Sequence, residues 1–155
     1  MFGQCPCRVL AAAVTKLGAI VTTPNQSPLA VITVTYSPGE YLSSFLDSLT
    51  GACAHGVRVV LADNGSIDGV PEAAARERAN VDFVGTGGNI GYGAGMNAGA
   101  RFAREQGGVD EEFFLISNPD VTFTPESIDQ LIECARQWPE ACLLYTSDAA
   151  DEEDS

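Results

Sequence analysis

Basic residues are scarce in this chain. Against 21 Asp and Glu stand only 8 Lys and Arg, for a formal charge of −13 at pH 7. Part of that excess is local, because the last nine residues, SDAADEEDS, carry five acids and no base, leaving 16 acids against 8 bases in residues 1–146. With no basic stripe to neutralise a phosphate backbone, the composition argues against nucleic-acid binding and makes a metal ion the expected mediator of any phosphate contact. Histidine is nearly absent: His55 is the only one, and it sits in GACAHGV, where a solvated loop position is expected. The cysteines (Cys5, Cys7, Cys53, Cys134 and Cys142) are odd in number and contain no C-x-x-C pair, so neither a zinc site nor a disulfide framework is supported and a reducing compartment is expected. Long hydrophobic runs are missing too. The N-terminal VLAAAV is six residues between Arg8 and Lys16, too short to span a bilayer and poor as the core of a signal peptide. A cytoplasmic protein is expected.

What the chain does have is enough apolar material for one core: 45% hydrophobic residues and 19% charged ones over 155 positions suit a single globular domain. Residues 1–28 lack sustained periodicity, end in the turn-rich TTPNQSP, and read as a leader outside the fold. LAVITVTY (29–36) is a continuous β-branched run, hence a buried strand. In the following SPGEYLSSFLDSL, Ser37 is a candidate N-cap with Pro38 behind it and Glu40 three residues on, a capping-box pattern, and Tyr41, Leu42, Phe45, Leu46 and Leu49 form one face. The grammar then repeats. VRVVLA (57–62) is a strand and VPEAAARERA a short helix opened by Pro71; VDFVG is a third strand and GMNAGARFAREQ a helix with Met96, Ala100 and Ala103 on one side. EFFLIS (112–117) is a fourth strand, and Thr124 is expected to cap a helix whose inner face is Ile128, Leu131, Ile132 and Ala135. This βαβαβαβα order gives an α/β fold, a mostly parallel sheet covered by helices on both faces, with ligands at the carboxyl ends of the strands. The polar and glycine-rich segments 35–39, 63–68, 86–93 and 117–120 all fall at that edge.

Three of these segments could carry chemistry. In LADNGSIDG, Asp63 ends a strand and Asn64-Gly65 turns the chain; taken alone, this reads first as turn chemistry, though a carboxylate there can also accept the imide N–H of a uracil or thymine ring. LISNPDVTF sets Asn118 and Asp120 two residues apart beyond a strand, either a solvated Asn-Pro turn or a pair of hard oxygen ligands for Mg²⁺ or Mn²⁺. GTGGNIGYGAGMNAG (85–99) holds seven of the sixteen glycines. Its G-x-G spellings permit a dinucleotide or methyl-donor loop. A dinucleotide loop, however, belongs in the first strand-to-helix turn with an acid ending the next strand, and here the loop follows the third strand. A NAD-dependent dehydrogenase, an S-adenosylmethionine methyltransferase and a non-catalytic binding module stay open as alternatives.

Taken in order, VTYSPGEYL, LADNGSIDG, TGGNIGYGAGMNAG and LISNPDV resemble the nucleotide-sugar-binding half of a family 2 glycosyltransferase with the GT-A fold, a Rossmann-like nucleotide-diphospho-sugar transferase fold. Within that family the set is most similar to actinobacterial rhamnosyltransferases that move L-rhamnose from dTDP-rhamnose to polyprenyl-diphosphate-linked N-acetylglucosamine. The resemblance covers residues 29–141. It implies that Thr35 and Tyr36 line the nucleotide pocket and that Asp63 contacts the base. Asn89, Gly91 and Asn97 would border the diphosphate and sugar, with Asn118 beside them, and Asp120 would hold the divalent cation (Mg²⁺ or Mn²⁺) at the last position of the family's D-x-D, spelled here Asn118-Pro119-Asp120. The implied partners are a dTDP- or UDP-sugar donor and a lipid-linked saccharide acceptor used in cell-wall or polysaccharide assembly, with peripheral contact at the inner face of the plasma membrane. The implied chemistry is an inverting displacement whose carboxylate base comes from the second half of the domain, after the metal motif. Residues 142–155 (CLLYTSDAADEEDS) depart from the family grammar and read as an added acidic tail, which makes the chain an expected N-terminal fragment, inactive by itself.

Overall fold

The computed structural model describes residues 12–16, 27–110, 112–138, 140 and 143–145. In chain order the elements are β1 (Ala12–Lys16), β2 (Leu29–Thr35), α1 (Tyr41–Ser48), β3 (Val57–Asp63), α2 (Val70–Glu77), β4 (Val81–Gly85), α3 (Tyr92–Gln106), β5 (Phe113–Ser117), α4 (Ser127–Gln137) and β6 (Leu143–Tyr145). They build one six-stranded sheet in the order β4-β3-β2-β5-β1-β6. The four inner-sequence strands β4, β3, β2 and β5 are parallel, as expected of strands joined through crossover helices. β1 and β6 add antiparallel neighbours beyond β5.

The strands are buried on both faces, and alternate side chains divide the core into two layers. Leu29 and Val31 of β2, Val57, Val59 and Leu61 of β3, and Phe113 and Leu115 of β5 meet the inner faces of α1 and α4, with Val70, Ala74 and Ala75 of α2 packed alongside. Ala30 and Ile32, Val60 and Phe114 point the other way, toward Ala100, Phe102 and Ala103 of α3. Phe45 of α1 and Phe123 interlock across the first layer, ring centroids 6.2 Å apart and tilted 56°.

Several local expectations are corrected. Ser37 does not cap α1: the helix starts at Tyr41 with Glu40 at its N-cap and no side-chain cap bond, while Ser37 sits at φ 51° and bonds to a different loop. Tyr41 is correspondingly 62% exposed and lies off the inner face. Thr124 does not cap α4 through its side chain either; its backbone carbonyl accepts from the Ser127 N–H, and Glu126 at φ 62° takes the N-cap position. The inner face of α4 is as expected, with Ile128, Leu131 and Ala135 buried. The stretch 1–28 was expected to lie outside the fold, yet Ala12–Lys16 pairs with β5 from Lys16↔Phe113 to Ala12↔Ser117. The physical reason is the free edge of β5, whose unpaired N–H and C=O groups are satisfied by an added strand. The tail 142–155 contributes Leu143–Tyr145 as β6 against β1; apart from Ser27 and Pro28, which lead into β2, the rest of both segments lies outside the described residues. Cys134 is disulfide-bonded, so cysteine usage does not argue for a reducing compartment; Cys53 is a free, buried thiol. His55 is exposed in its loop as expected.

Candidate functional site

The carboxyl ends of β2, β3 and β4 converge on Asp63. Thr35 and Asp63 are register partners in the β2–β3 ladder, so both side chains rise on the same face, and the buried Thr35 hydroxyl donates to Asp63 Oδ1 at 2.7 Å. The same oxygen accepts the Ser66 hydroxyl. Asp63 Oδ2 accepts the backbone N–H groups of Gly65 at 3.0 Å and Ser66 at 2.9 Å. Four donors thus fill the four acceptor positions of a carboxylate that is only 4% exposed. Burial opposes its charge, but the bonds from Ser66, Thr35 and Gly65 outweigh that and hold Asp63 below the ordinary aspartate range.

Asn64, 4% exposed, ties this turn to its neighbours. Its N–H donates to the Thr35 carbonyl at 2.8 Å, and its side-chain amide donates to the Gly91 carbonyl at 3.2 Å. The Thr86 hydroxyl lies 2.9 Å from both the Asp63 carbonyl and Asn64 Oδ1 and 2.7 Å from the Gly88 carbonyl, a shared donor binding the loop after β4 to the turn after β3. The loops touch backbone to backbone. A Cβ built on Gly65, at φ 95°, would stand 3.6 Å from Gly88 Cα. Across the other gap, the Ser37 N–H donates to Ser66 Oγ at 2.7 Å, the Ile67 N–H to Ser37 Oγ at 3.1 Å and the Gly39 N–H to Asp68 Oδ2 at 3.0 Å.

The glycine-rich segment serves two purposes. Asn89 Oδ1 accepts the Gly91 N–H at 3.1 Å, and Gly91 at φ 86° turns the chain into α3, which therefore begins at Tyr92, inside the loop. Gly91 has no side chain to cap the helix, so the first N–H groups of α3 open onto the carboxyl edge of the sheet. Farther along, Gly95, Gly99 and Ala103 form the buried seam of α3, where Met96, Ala100 and Ala103 were expected. The reason is clearance: a Cβ on Gly99 would lie 2.7 Å from Ile32 Cγ2, and one on Gly95 would lie 3.1 Å from Val34 Cγ2.

Of the residues singled out by sequence, Thr35, Asp63 and Gly91 come together in one hydrogen-bonded cluster, and Asn89 joins it through Gly91. Tyr36 follows Thr35 with its ring 63% exposed at the same edge. Asn118 and Asp120 lie beyond β5 with exposed side chains. Asp120 is near enough to α3 that its charge, after burial, helps to push the Tyr92 phenol above the ordinary tyrosine range. Asn97 is exposed and stands two residues from both Gly95 and Gly99, which places it on the face of α3 turned from the sheet. Among the described residues no group of three or more His, Cys, Asp or Glu could hold a metal ion by itself. Asn64, Ser66, Thr86 and Ser37 were missed as site residues. Their types were visible, but their partners lie up to 30 residues away and no local pattern announces them.

Comparison with known proteins fits this geometry. Residues 30–155 match the model of the glycosyl transferase family 2. Over 122 residues the chain is 44% identical to the N-acetylglucosaminyl-diphospho-decaprenol L-rhamnosyltransferase of Mycobacterium tuberculosis, a match covering 75% of this chain and 39% of that protein. It is also 26% identical over 103 residues to the low-salt glycan biosynthesis hexosyltransferase Agl10 of Haloferax volcanii, covering 66% of this chain and 31% of that one. The chain thus spans well under half the length of both relatives. Among solved structures, S. aureus TarS 1–349 superposes with a TM-score of 0.58 at 22% identity, covering 71% of this chain and 32% of TarS, and TarS 1–349 in complex with UDP-GlcNAc gives the same score and identity. Those superpositions carry the fold, a mostly parallel sheet of the GT-A kind with helices on both faces. This chain belongs to the glycosyl transferase family 2.

Proposed function

We propose that this chain binds the nucleotide-sugar donor of an inverting glycosyl transfer, with dTDP-L-rhamnose as the donor and polyprenyl-diphosphate-linked N-acetylglucosamine as the acceptor. The observation that carries the reading is the Asp63 cluster at the carboxyl edge, an ionised and buried carboxylate flanked by the exposed ring of Tyr36 and the uncapped start of α3. Tyr36 offers a face for stacking a base, and Asp63 is an acceptor for its imide N–H, the distinguishing donor of uracil and thymine. The opening N–H groups of α3, with Gly91 and Asn89 before them, suit the negative diphosphate. The sugar identity is supported by the 44% identity to the mycobacterial rhamnosyltransferase.

The donor set beyond β5 fits a hard divalent cation in part. Asp120 would supply a carboxylate and Asn118 an amide carbonyl, the hard oxygen donors that Mg²⁺ or Mn²⁺ prefers. When bound there, the cation neutralises charge gathering on the leaving diphosphate. The chain's own residues orient the donor: Asp63 fixes the base, and Gly91 and α3 receive the phosphates, with Tyr92 near enough to Asp120 to feel its charge. Asn97, on the outer face of α3, has no part in this set. The base that deprotonates the acceptor hydroxyl belongs to the later part of the family's domain. No helix among the described residues is long and apolar enough to cross a membrane. Peripheral contact at the cytoplasmic face is the proposed location, since the acceptor is lipid-linked.

Calorimetric titration with dTDP, dTDP-rhamnose and UDP-GlcNAc, with and without Mn²⁺, tests the reading. The expected result is saturable binding strengthened by the cation, loss of the cation effect in Asp120→Ala and weaker binding of every nucleotide in Asp63→Ala. Equal affinity in the wild type and both variants would reject the site.

A further inference from the structure

The four donors on Asp63 are not equivalent. Thr35 is fully buried on the adjacent strand, and the Gly65 and Ser66 N–H groups belong to the backbone of a tight turn, so the fold fixes three of them. The fourth, the Ser66 hydroxyl, is carried by a partly exposed residue and can leave by rotation about one bond. It also has a second partner. While donating to Asp63 Oδ1 it accepts the Ser37 N–H at 2.7 Å. Between Asp63 and Ser37 the hydroxyl therefore fills a place that needs a donor beside an acceptor. An imide edge, with N–H next to C=O, has that same pair.

We propose that Ser66 is a positioning residue whose hydroxyl occupies the place of the pyrimidine imide in the free protein and rotates out when the base arrives. The ring N–H then donates to Asp63 Oδ1, and the neighbouring ring carbonyl accepts the Ser37 N–H. This deepens the donor reading above and rests on it. Because all four acceptor positions of Asp63 are taken, no base can bond to the carboxylate until one donor departs, and the Ser66 hydroxyl is the one free to do so. The exchange conserves hydrogen bonds, so neither a buried carboxylate oxygen nor the Ser37 N–H is left without a partner. The loops stay joined meanwhile, since the Ile67 N–H still donates to Ser37 Oγ and the Gly39 N–H to Asp68.

Amide hydrogen exchange at Ser37, read by NMR with UDP as the probe, gives a signature that a merely structural serine would not produce. In the wild type the Ser37 amide is protected with and without UDP. In Ser66→Ala it exchanges at least tenfold faster in the free protein and regains protection when UDP is added. Calorimetry on the same variant should show UDP binding about threefold tighter, the scale of one hydrogen bond that no longer has to be exchanged, while wild-type affinity for 3-methyl-UDP, which lacks the ring donor, falls at least tenfold below that for UDP. Failure of UDP to protect Ser37 in Ser66→Ala, or weaker UDP binding by that variant, would overturn the proposal while leaving the donor reading intact, whereas equal wild-type affinity for UDP and 3-methyl-UDP would overturn it together with the assignment of Asp63 as the imide acceptor. Absence of any UDP or dTDP binding by the wild type would remove both together. Ser66→Gly, which deletes the hydroxyl without adding a methyl group to the turn, should repeat the Ser66→Ala result.

Discussion

The Asp63 carboxylate gathers four hydrogen bonds on one residue. Its position at the end of a β-branched run, followed by Asn-Gly, marked it as either a turn residue or a ligand for a base, and the structure makes it the centre of the turn with every acceptor position filled. The Thr35 hydroxyl is a charge-assisted donor to a buried carboxylate, so Thr35→Val, close in shape, should destabilise the chain by about 1–3 kcal/mol in urea denaturation. Acid unfolding should report the same bond. A carboxyl held below its unfolded value contributes stability that is present above about pH 4, the ordinary aspartate value, and is lost as pH falls through the lower folded value. With Thr35→Val the folded value rises toward the ordinary one, so the variant's stability should depend less on pH below pH 4 than the wild type's. Parallel stability curves for the two proteins between pH 5 and pH 2 would show that Thr35 does not tune the carboxylate. Nothing local to VTYSPGEYL could have revealed the Ser37 bonds, whose partners Ser66 and Ile67 come from another unit of the fold. The capping-box pattern was correctly spelled, but a stronger non-local partner took the serine.

At the scale of the element, β2 and β3 were readable as continuous apolar runs because both their faces are buried, and α4 because its single buried face imposes a helical period on the sequence. α3 was half readable. It ends at Gln106 as GMNAGARFAREQ implies, but it starts three residues earlier, at Tyr92, and its buried seam is Gly95, Gly99 and Ala103, without Met96 and Ala100. The clue was the Gly95, Gly99, Ala103 spacing of four, masked by the other glycines around it. Gly99→Ala tests the point. Helix propensity alone favours alanine by about 1 kcal/mol, but the added methyl would meet Ile32 Cγ2 at 2.7 Å within a packed layer, and overpacking of that kind costs about 1–3 kcal/mol. A net loss of stability is expected by thermal or urea unfolding, and a gain would show that α3 can lift off freely. The edge strand β4 has its own fastening, also non-local. Arg58 forms a paired contact with Asp82, Nε to Oδ2 at 2.6 Å, and donates to the Gly107 carbonyl at the end of α3. Arg58→Lys keeps the charge and loses the fork, so it should raise amide exchange in β4 more than in β2. β1 was not foreseen because AAVTK is a short segment whose strand character comes from the edge it joins.

For the whole molecule, the charge of −13 sets the long-range field that an anionic donor must cross. Raising salt from about 0.01 M to about 0.1 M shortens the Debye length from about 30 Å to about 10 Å and weakens that repulsion. Without divalent cation, UDP affinity should therefore increase over this range, contrary to the usual behaviour of phosphate sites; a decrease would mean that the start of α3 governs the local field. Family and fold were legible here because four separate segments had to appear in one order along alternating strands and helices, a demand that chance spellings do not meet. One consequence of the α3 seam reaches the same site. The helix rests on the sheet at Gly95 and Gly99, about 6 Å apart along its axis, like a beam on two close bearings. Raising either bearing tilts the beam, and Tyr92, about 10 Å from Gly99, swings relative to Asp120. A methyl group added at Gly99, against the sheet, would then be felt at the front of the helix as a change in donor affinity, so that the gauge of the pocket is set in part by a residue that does not line it.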